Sequence, residues 1–247
     1  MDGAGVGCYN RRIMKLTTAQ IAGMMDLSSV YGQCDESEIR QLATAAVEHK
    51  VAAAVVLPCF VPMIVELVAG RVLIASVVGF PGGAVLTETK AAEARRLVEL
   101  GCGELDMVIN VGMLRSGRED YVRADIAAVV AAASGKPVKV ILEVHHLSDE
   151  QIRTACRLCL EAGASWVKTA TGWLPTGATL ENIALMKSCV GDRAGVKASG
   201  GVRGLDTLAE MYRRGARRFG VGLASGLKIL QQCAALPSGV FQVKEYE

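Results

Sequence analysis

Residues 138–169 read VKVILEVHHLSDEQIRTACRLCLEAGASWVKT and contain one complete strand–helix–strand unit. The segment begins and ends with short β-branched runs, Val138–Val144 and Ala164–Thr169, which are typical of strands buried on both faces. Between them, Asp149–Ala162 shows the apolar period of a helix, preceded by a capping box at Ser148 and followed by a glycine. The segment therefore predicts two parallel strands joined by a helix.

The same unit recurs along the whole chain of 247 residues. Amphipathic segments of helical period separate short apolar runs that we interpret as strands. The predicted strands are Ile21–Asp26, Ala52–Leu57, Val72–Val78, Glu104–Asn110, Val138–Val144, Ala164–Thr169, Ala194–Ala198 and Arg217–Val221. Eight such units in a chain of this length predict a single α/β domain folded as a (β/α)8 TIM barrel. The competing fold is an open doubly wound sheet, which the absence of a GxGxxG pattern after the first strand weakens.

The composition excludes several classes of protein. With 51% hydrophobic residues, 21% charged residues and a formal net charge of +2, the chain is neither disordered nor typical of a nucleic-acid-binding protein. The most apolar stretch, residues 52–70, is interrupted by two prolines and Glu66, so we predict no membrane span. Residues 1–12 lack an apolar signal segment and are predicted to form a loose tail before a domain at 13–247. The eight cysteines are then expected to be reduced thiols of a cytoplasmic protein, most of them buried.

Ionisable residues inside the predicted strands indicate a functional site, because burying an unpaired charge is costly. They are Asp26 at the end of the first strand, Asp106 in the fourth, Lys168 in the sixth and Lys197 in the seventh. Taken alone, each could form a structural ion pair, but active sites of parallel barrels lie where the strands end. Buried lysines on neighbouring strands suppress each other's protonation, and a neutral lysine can act as a Schiff-base nucleophile. Lys139 precedes the apolar run of its strand and is interpreted as structural.

Glycine-rich loops after the last two strands indicate an anion site. Residues 198–204 read ASGGVRG and residues 220–226 read GVGLASG. Loops at this place in a barrel often bind phosphate through backbone N–H groups and a helix N-terminus. Arg203 adds positive charge, and Thr171 with Gly172 after the sixth strand completes the predicted site. The alternative is that these glycines only allow tight turns with positive φ.

A metal site is a less favoured hypothesis. Glu143 and His145 share one face of the fifth strand, but the sequence offers no third ligand at a suitable spacing. We therefore expect His145 to line the pocket and predict no metal.

Several motifs together resemble those of the deoxyribose-phosphate aldolase family. They are LDMVIN at 105–110, WVKTATG at 166–172, GVKASGGVR at 195–203, GFPG at 79–82, TETK at 87–90 and GAT at 177–179. The resemblance extends from about Ile21 to Leu230 and implies a lyase, a class I aldolase on a TIM barrel. Such an enzyme cleaves 2-deoxy-D-ribose 5-phosphate to D-glyceraldehyde 3-phosphate and acetaldehyde, in deoxyribonucleotide catabolism and carbohydrate degradation. The resemblance implies no cofactor, small sugar phosphate and aldehyde partners, no nucleic acid or membrane partner, and a homo-oligomer (a dimer or larger).

The resemblance also implies a role for each matching residue. Lys168 is the Schiff-base lysine, Lys197 is the second lysine that lowers its pKa, and Asp106 is the acid that shuttles protons. Asp26 and Ser28 support this relay. The substrate-binding and phosphate-binding positions are Ser28, Thr171, Gly172, Gly200, Gly201, Arg203 and Gly220.

The sequence departs from the family pattern at four places around the substrate. The departing residues are Val221, Gly222 and Leu223 in place of small hydroxyl residues, Leu57 and Cys59 in place of polar ones, His145 and His146 in place of small or aliphatic ones, and Trp173 where some members have lysine. Two alternatives therefore stay open: a class I aldolase of this family for another sugar or sugar phosphate, and a catalytically weak paralogue that binds a sugar phosphate. Tyr246 matches a C-terminal tyrosine that assists proton transfer in some members, and we assign it no role.

Overall fold

The computed structural model describes residues 13–244 of the chain. The predicted tail at residues 1–12 and the C-terminal Tyr246 lie outside the described residues.

Eight parallel strands, β2 to β9, close into a barrel in chain order. They are β2 Met25–Ser29, β3 Ala53–Val56, β4 Ile74–Val78, β5 Glu104–Val108, β6 Val138–Ile141, β7 Trp166–Lys168, β8 Gly195–Ser199 and β9 Arg218–Gly222. β9 pairs with β2 in parallel and closes the ring. This architecture confirms the predicted TIM barrel.

Helices surround the barrel and cover its apolar outer face. They are α1 Thr18–Ala22, α2 Glu36–His49, α3 Val61–Val68, α4 Thr87–Glu99, α5 Val111–Arg115, α6 Glu119–Ala132, α7 Asp149–Glu161, α8 Leu180–Val190, α9 Leu205–Arg213 and α10 Leu223–Ala234. The capping box predicted at Ser148 is present, since its side chain accepts a hydrogen bond from the Gln151 N–H and the Gln151 side chain binds back. Gly163, predicted to stop this helix, has a φ of +81°, which glycine adopts without strain.

The first barrel strand begins later than the sequence predicts. Within the predicted strand Ile21–Asp26, Ile21 and Ala22 belong to α1, which Thr17 caps at its N-terminus and Gly23 at its C-terminus. One apolar run therefore covers both the end of a helix and the start of a strand. Asp26 is consequently the second residue of β2 rather than its last, and it lies inside the barrel.

A second sheet, which the sequence does not predict, joins the two ends of the described chain. Strand β1, Ile13–Thr17, pairs in antiparallel fashion with β10, Val240–Lys244. Leu16 and Val243 are buried beneath this pair. Because the partners lie at opposite ends of the sequence, no local pattern indicates their pairing.

Within residues 13–244, no helix is both long enough and apolar enough to cross a membrane. The cysteines of this range are free thiols. As expected, most of them are buried, namely Cys102, Cys156, Cys159 and Cys233.

Candidate active site

Seven charged side chains meet inside the barrel, and we call this group the barrel cluster. Its members are Asp26 on β2, Glu104 and Asp106 on β5, Lys139 on β6, Lys168 on β7, Lys197 on β8 and Arg218 on β9. Parallel register brings them together, since Lys168 pairs with Lys197 and Asp106 pairs with Lys139. Paired residues of neighbouring strands point to the same face of a sheet, here the barrel interior.

Asp106 lies at the centre of the barrel cluster and contacts three lysines. Its Oδ2 accepts hydrogen bonds from Lys168 Nζ and from Lys197 Nζ, each at 2.7 Å. Its Oδ1 accepts one from Lys139 Nζ at 3.0 Å. Burial by itself would raise the pKa of Asp106, but the three ammonium groups outweigh burial and hold this pKa well below its usual range. The carboxylate is therefore ionised, and one of its oxygens is shared by two amines.

Lys168 has the lowered pKa that a nucleophilic lysine needs. Burial lowers the pKa of its amine, the charges of Lys197 and Lys139 lower it further, and Asp106 opposes them, so that the pKa falls to about 8. Lys168 is the last residue of β7 and is 5% exposed, whereas Lys139 and Lys197 are 0% and 1% exposed. The amine is thus the most accessible of the three and loses its proton near neutral pH.

The balance of charge in the barrel cluster points to the same amine. Four cationic side chains face three carboxylates, so the fully charged cluster has one cation in excess. Repulsion among buried like charges disfavours this excess. Loss of the Lys168 proton leaves three cations and three carboxylates, and the cluster becomes neutral.

Asp26 holds Lys197 in place. Lys197 Nζ donates to its Oδ2, and Arg218 Nε donates to its Oδ1 at 2.6 Å. Burial would raise the pKa of Asp26, but Lys197, Lys139 and Arg218 outweigh it and lower this pKa to about 2. Asp26 therefore stays ionised and acts inside the barrel, so its predicted place at the end of its strand is wrong.

Lys139, interpreted from the sequence as structural, belongs to the same cluster. Its Nζ lies 3.0 Å from Asp106 Oδ1 and 2.5 Å from Glu104 Oε2. Burial would lower the pKa of Lys139, but the carboxylates of Asp106, Asp26 and Glu104 raise it above its usual value. Lys139 is therefore a permanent counter-charge to Asp106.

Glu104 and Arg218 are members of the cluster that the sequence prediction missed. Arg218 Nη2 donates to Glu104 Oε2 at 2.8 Å. The sequence spacing could have identified both residues. Glu104 precedes Asp106 by two positions and Arg218 precedes Gly220 by two, so each shares a strand face with a residue of the predicted site.

A cavity of about 140 Å³ lies beside the cluster at the carboxyl end of the barrel. All of the predicted substrate-binding residues line it, namely Ser28, Thr171, Gly172, Gly200, Gly201, Arg203 and Gly220. A Cβ on Gly220 would lie 3.1 Å from Lys197 Cε and 2.6 Å from Ser199 Oγ. A side chain at position 220 would therefore collide with Ser199 and crowd Lys197, and glycine avoids both contacts.

Ser225 is a cavity residue that the sequence prediction left out. The resemblance led us to expect hydroxyl residues at the positions of Val221, Gly222 and Leu223, and none of these three has a hydroxyl group. In the structure, Gly222 is the N-cap of α10 and Leu223 is its first residue. Ser225 follows in the first turn and lines the cavity. The first N–H groups of a helix have no partner within the helix, so the N-terminus of α10 favours an anion there. The serine three residues after a capping glycine was the available signal.

Thr171 shapes the cavity wall without a free donor. Its backbone N–H donates to Glu143 Oε2 at 3.3 Å, and its hydroxyl donates to the same oxygen at 2.5 Å. A threonine has one N–H and one O–H to donate, so both are engaged by Glu143.

Ser28 contacts the backbone of the cavity wall rather than the charged groups of the barrel cluster. Its hydroxyl donates to the Val221 carbonyl at 3.1 Å, and the side chain lines the cavity. Its predicted part in the proton relay stays a prediction.

Glu143 and His145 contact different side chains in the structure. Glu143 binds Thr171, whereas His145 Nδ1 contacts the Thr176 hydroxyl. Among residues 13–244, no group of three His, Cys, Asp or Glu side chains could hold a metal ion. His145 is exposed and does not line the 140 Å³ cavity, so the prediction that it lines the pocket is wrong.

A larger groove of about 810 Å³ lies on the outer surface, at the amino end of β7. Arg153, Arg157 and Arg193 line it, but no member of the barrel cluster does. Size alone therefore does not identify the reactive site, whereas the ionisable groups do.

Comparison with known proteins agrees with this geometry. Residues 20–232 match the model of the DeoC/LacD family aldolases. The chain is 46% identical over 226 residues to deoxyribose-phosphate aldolase of Rhizobium meliloti strain 1021, covering 91% of each chain. It is 41% identical over 230 residues to the Klebsiella pneumoniae deoxyribose-phosphate aldolase, covering 92% of each.

A solved structure gives the same result in three dimensions. The chain superimposes on deoxyribose phosphate aldolase from Aeropyrum pernix with a TM-score of 0.82 and 28% sequence identity, covering 89% of this chain and 93% of the other. Since the family match covers most of the sequence and the curated relatives exceed 40% identity, the chain belongs to the DeoC/LacD family of aldolases.

Proposed function

We propose that this protein is a class I deoxyribose-phosphate aldolase that acts through a Schiff base on Lys168. It cleaves 2-deoxy-D-ribose 5-phosphate to D-glyceraldehyde 3-phosphate and acetaldehyde. The observation that carries the proposal is the Lys168 amine, whose pKa is lowered to about 8, within 2.7 Å of the ionised Asp106. The names of the curated relatives support this choice of substrate.

The first step forms the covalent intermediate. The neutral Lys168 amine attacks C1 of the open-chain sugar phosphate and gives a carbinolamine, which loses water to form an iminium ion. Asp106 contacts this amine and also binds Lys197, and these two groups exchange the protons that the dehydration requires. The iminium restores the positive charge that Lys168 lost, and Asp106 stabilises it across a short contact.

The second step breaks the carbon–carbon bond. The C3 hydroxyl loses its proton, the C2–C3 bond breaks, and its electron pair enters the iminium to give an enamine. D-Glyceraldehyde 3-phosphate leaves with C3 as its aldehyde carbon. Protonation of the enamine at C2 and hydrolysis of the resulting imine release acetaldehyde and regenerate Lys168, so no external oxidant or reductant is needed.

The cavity beside the cluster binds the phosphate group in this proposal. Gly200 and Gly201, with φ of +81° and +92°, line this cavity, and their backbone N–H groups are proposed as donors to the anion. Arg203 supplies charge, and Ser225 with the N-terminus of α10 supplies further donors. The substrate therefore extends from Lys168 at C1 to this cavity at C5.

Turnover of two matched sugars tests the proposal. Purified full-length protein is given 2-deoxyribose 5-phosphate or unphosphorylated 2-deoxyribose, and both products are quantified. We expect rapid formation of D-glyceraldehyde 3-phosphate and acetaldehyde from the phosphorylated sugar only, and none with Lys168→Met. Faster cleavage of the unphosphorylated sugar would indicate another substrate of the same chemistry. Binding of the sugar phosphate without cleavage would indicate the inactive paralogue.

We also propose that the protein assembles as a homo-oligomer, a dimer or larger. The related Aeropyrum pernix enzyme is described as tetrameric, which supports the proposal. Light scattering on the purified protein should give a mass at least twice that of the chain, and a monomer would contradict it. The domain boundary at residue 13 and the cytoplasmic location stay predictions.

A further inference from the structure

Trp173 follows β7, but its side chain lies on the opposite side of the barrel mouth. Its indole Nε1 donates to the Val30 carbonyl, after β2, at 2.9 Å. Its ring meets the Phe80 ring, after β4, edge-on at 5.7 Å between centroids. It also stacks on Tyr31 at 6.3 Å. In this strand order β3 is diametrically opposite β7, and β2 and β4 flank β3, so the indole lies at the far side of the mouth.

Hydrogen bonds fix the loop that carries this indole. The Trp173 N–H donates to Thr171 Oγ1 at 3.1 Å, and Thr171 is bound through both of its donors to Glu143. Glu143 itself has a φ of +53°, a left-handed conformation that is costly for a residue with a side chain. The chain between Lys168 and Trp173 is thus held as it crosses the mouth.

The part of the barrel interior beneath the indole is apolar, whereas the barrel cluster occupies the rest of the interior. A separate apolar cluster on β3 and β4 faces the barrel cluster, with members Val30, Ala53, Val55, Ala75 and Val77, and with Leu57 and Phe80 packed against it. These side chains point inward, because Ala53 is in register with Asp26 and Val77 with Asp106. The interior therefore has a charged half and an apolar half.

The substrate of the proposed reaction matches this division. Its phosphate end lies in the cavity that Tyr31 borders, while C1 is bonded to Lys168. The remaining carbon of the donor, C2, becomes the methyl group of acetaldehyde and has no polar group. The apolar half, covered by Phe80 and Trp173, is the surface that such a methyl group would contact.

We propose that Trp173 is a specificity-determining residue that, with Phe80, closes the apolar half of the mouth and limits the donor aldehyde to two carbons. The proposal rests on the proposed function. A donor with a longer alkyl chain would have to displace the indole, which is held by the Val30 carbonyl and by two aromatic rings. Acetaldehyde, whose chain ends at C2, would leave the indole in place.

Borohydride trapping of donor aldehydes tests this directly. Full-length protein and its Trp173→Ala, Trp173→Phe and Phe80→Ala variants are incubated with acetaldehyde, propanal or butanal and then reduced. The rate of adduct formation at Lys168 is followed by peptide mass spectrometry. One methylene in an apolar pocket changes selectivity by about 10- to 200-fold, so Trp173→Ala should raise the propanal-to-acetaldehyde ratio at least about tenfold. Phe80→Ala should act in the same direction, and Trp173→Phe should change the ratio least.

A matched control separates closure from general loss of apolar surface. Leu86 is an exposed apolar residue, before α4 and outside these contacts, so Leu86→Ala should leave the ratio unchanged. Melting curves should show that Trp173→Ala, which removes a side chain of a residue that is 43% exposed, remains folded.

Three results would overturn the inference. An unchanged ratio in Trp173→Ala, with Lys168 still trapped by acetaldehyde, would contradict it while leaving the proposed function intact. An equal slowing for all three aldehydes would show that the indole only positions the loop. No adduct at Lys168 with any aldehyde, in the unmodified protein, would overturn both this inference and the proposed function.

Discussion

Among the residues whose burial the structure describes, lysines are buried in two places, and the two environments differ in charge balance. Between α4 and α6, Lys90 is 0% exposed and donates to Asp125 Oδ2 at 2.6 Å and to the Val108 carbonyl at 2.9 Å. The other oxygen of Asp125 accepts from the Thr87 hydroxyl at 2.9 Å. One cation thus faces one carboxylate, and each has a second hydrogen-bond partner. In the barrel cluster, four cations face three carboxylates beside a cavity.

Burial of a charge therefore does not by itself identify a reactive group. Burial lowers the pKa of Lys90 below its ordinary value although Asp125 opposes this shift. Loss of either charge in this balanced pair would nevertheless leave the partner uncompensated in a low dielectric. An excess cation in a cluster beside a cavity, as Lys168 is, is the group whose deprotonation relieves the cluster. Five substitutions break or sharpen this comparison.

Replacing Lys168 by methionine removes the proposed nucleophile and should have the largest effect. We expect cleavage of 2-deoxyribose 5-phosphate to fall by about 10⁴-fold or more, because the covalent route is lost. A steady-state assay coupled to glyceraldehyde 3-phosphate measures this. Lys90→Met is the matched control and should retain a kcat close to that of the unmodified protein. A comparable loss of kcat in the two variants would contradict the distinction between a reactive and a structural buried lysine.

Asp106→Asn should reduce kcat by about 10²- to 10⁴-fold, the range for loss of a proton-transferring group. The substitution leaves the Lys168 amine in place but removes the carboxylate that contacts three lysines. Asp125→Asn, the equivalent change in the balanced pair, should destabilise the fold and spare kcat. The idea would fail if Asp106→Asn kept full activity.

Stability should respond to the two lysines with opposite signs. Lys90→Met leaves the buried Asp125 carboxylate without its cation and should lower the free energy of unfolding by about 3–5 kcal/mol. Lys168 has a folded-state pKa of about 8, below the value of about 10.4 for a free lysine, so folding disfavours its proton at pH 7. Lys168→Met should therefore raise the free energy of unfolding at pH 7.

Urea denaturation at two pH values measures both effects. The advantage of Lys168→Met should shrink as the pH rises from about 8 to about 10.4, because the amine is then neutral in both states. Equal destabilisation by both substitutions at pH 7 would show that Lys168 is also part of a balanced structural pair.

Ser225→Ala tests the cavity beside the barrel cluster and should have the smallest effect. Loss of one hydrogen bond to a charged phosphate should raise KM for 2-deoxyribose 5-phosphate about tenfold or somewhat more. Cleavage of unphosphorylated 2-deoxyribose, however slow, should not change. A similar change in KM for both sugars would place Ser225 away from the phosphate.

Local patterns were sufficient to predict most of the barrel. The helix predicted at Asp149–Ala162 is found at Asp149–Glu161, because its apolar period and the capping box at Ser148 are encoded within neighbouring residues. The bounds of β2 were wrong because one apolar run serves two elements. The pairing of β1 with β10 could not be predicted, since its partners are remote in sequence.

The site was predictable where a charge interrupts a strand. Lys168, Lys197 and Asp106 were found in this way, and the structure brings them together. Lys90 was not expected to be buried, because a charged helix residue is normally solvated and only the packing of α4 on α6 encloses it. Ser225 was missed because the start of α10 was read as a loop.

The central claim is that Lys168 loses its proton near neutral pH because it is the excess cation of a buried cluster. An NMR titration of protein labelled with ¹³C at the lysine ε-carbons tests this most directly, with Lys168 assigned by its absence in Lys168→Met. The account predicts that the Lys168 resonance titrates with a midpoint near pH 8. A midpoint at the ordinary lysine value of about 10.4 or above would contradict it.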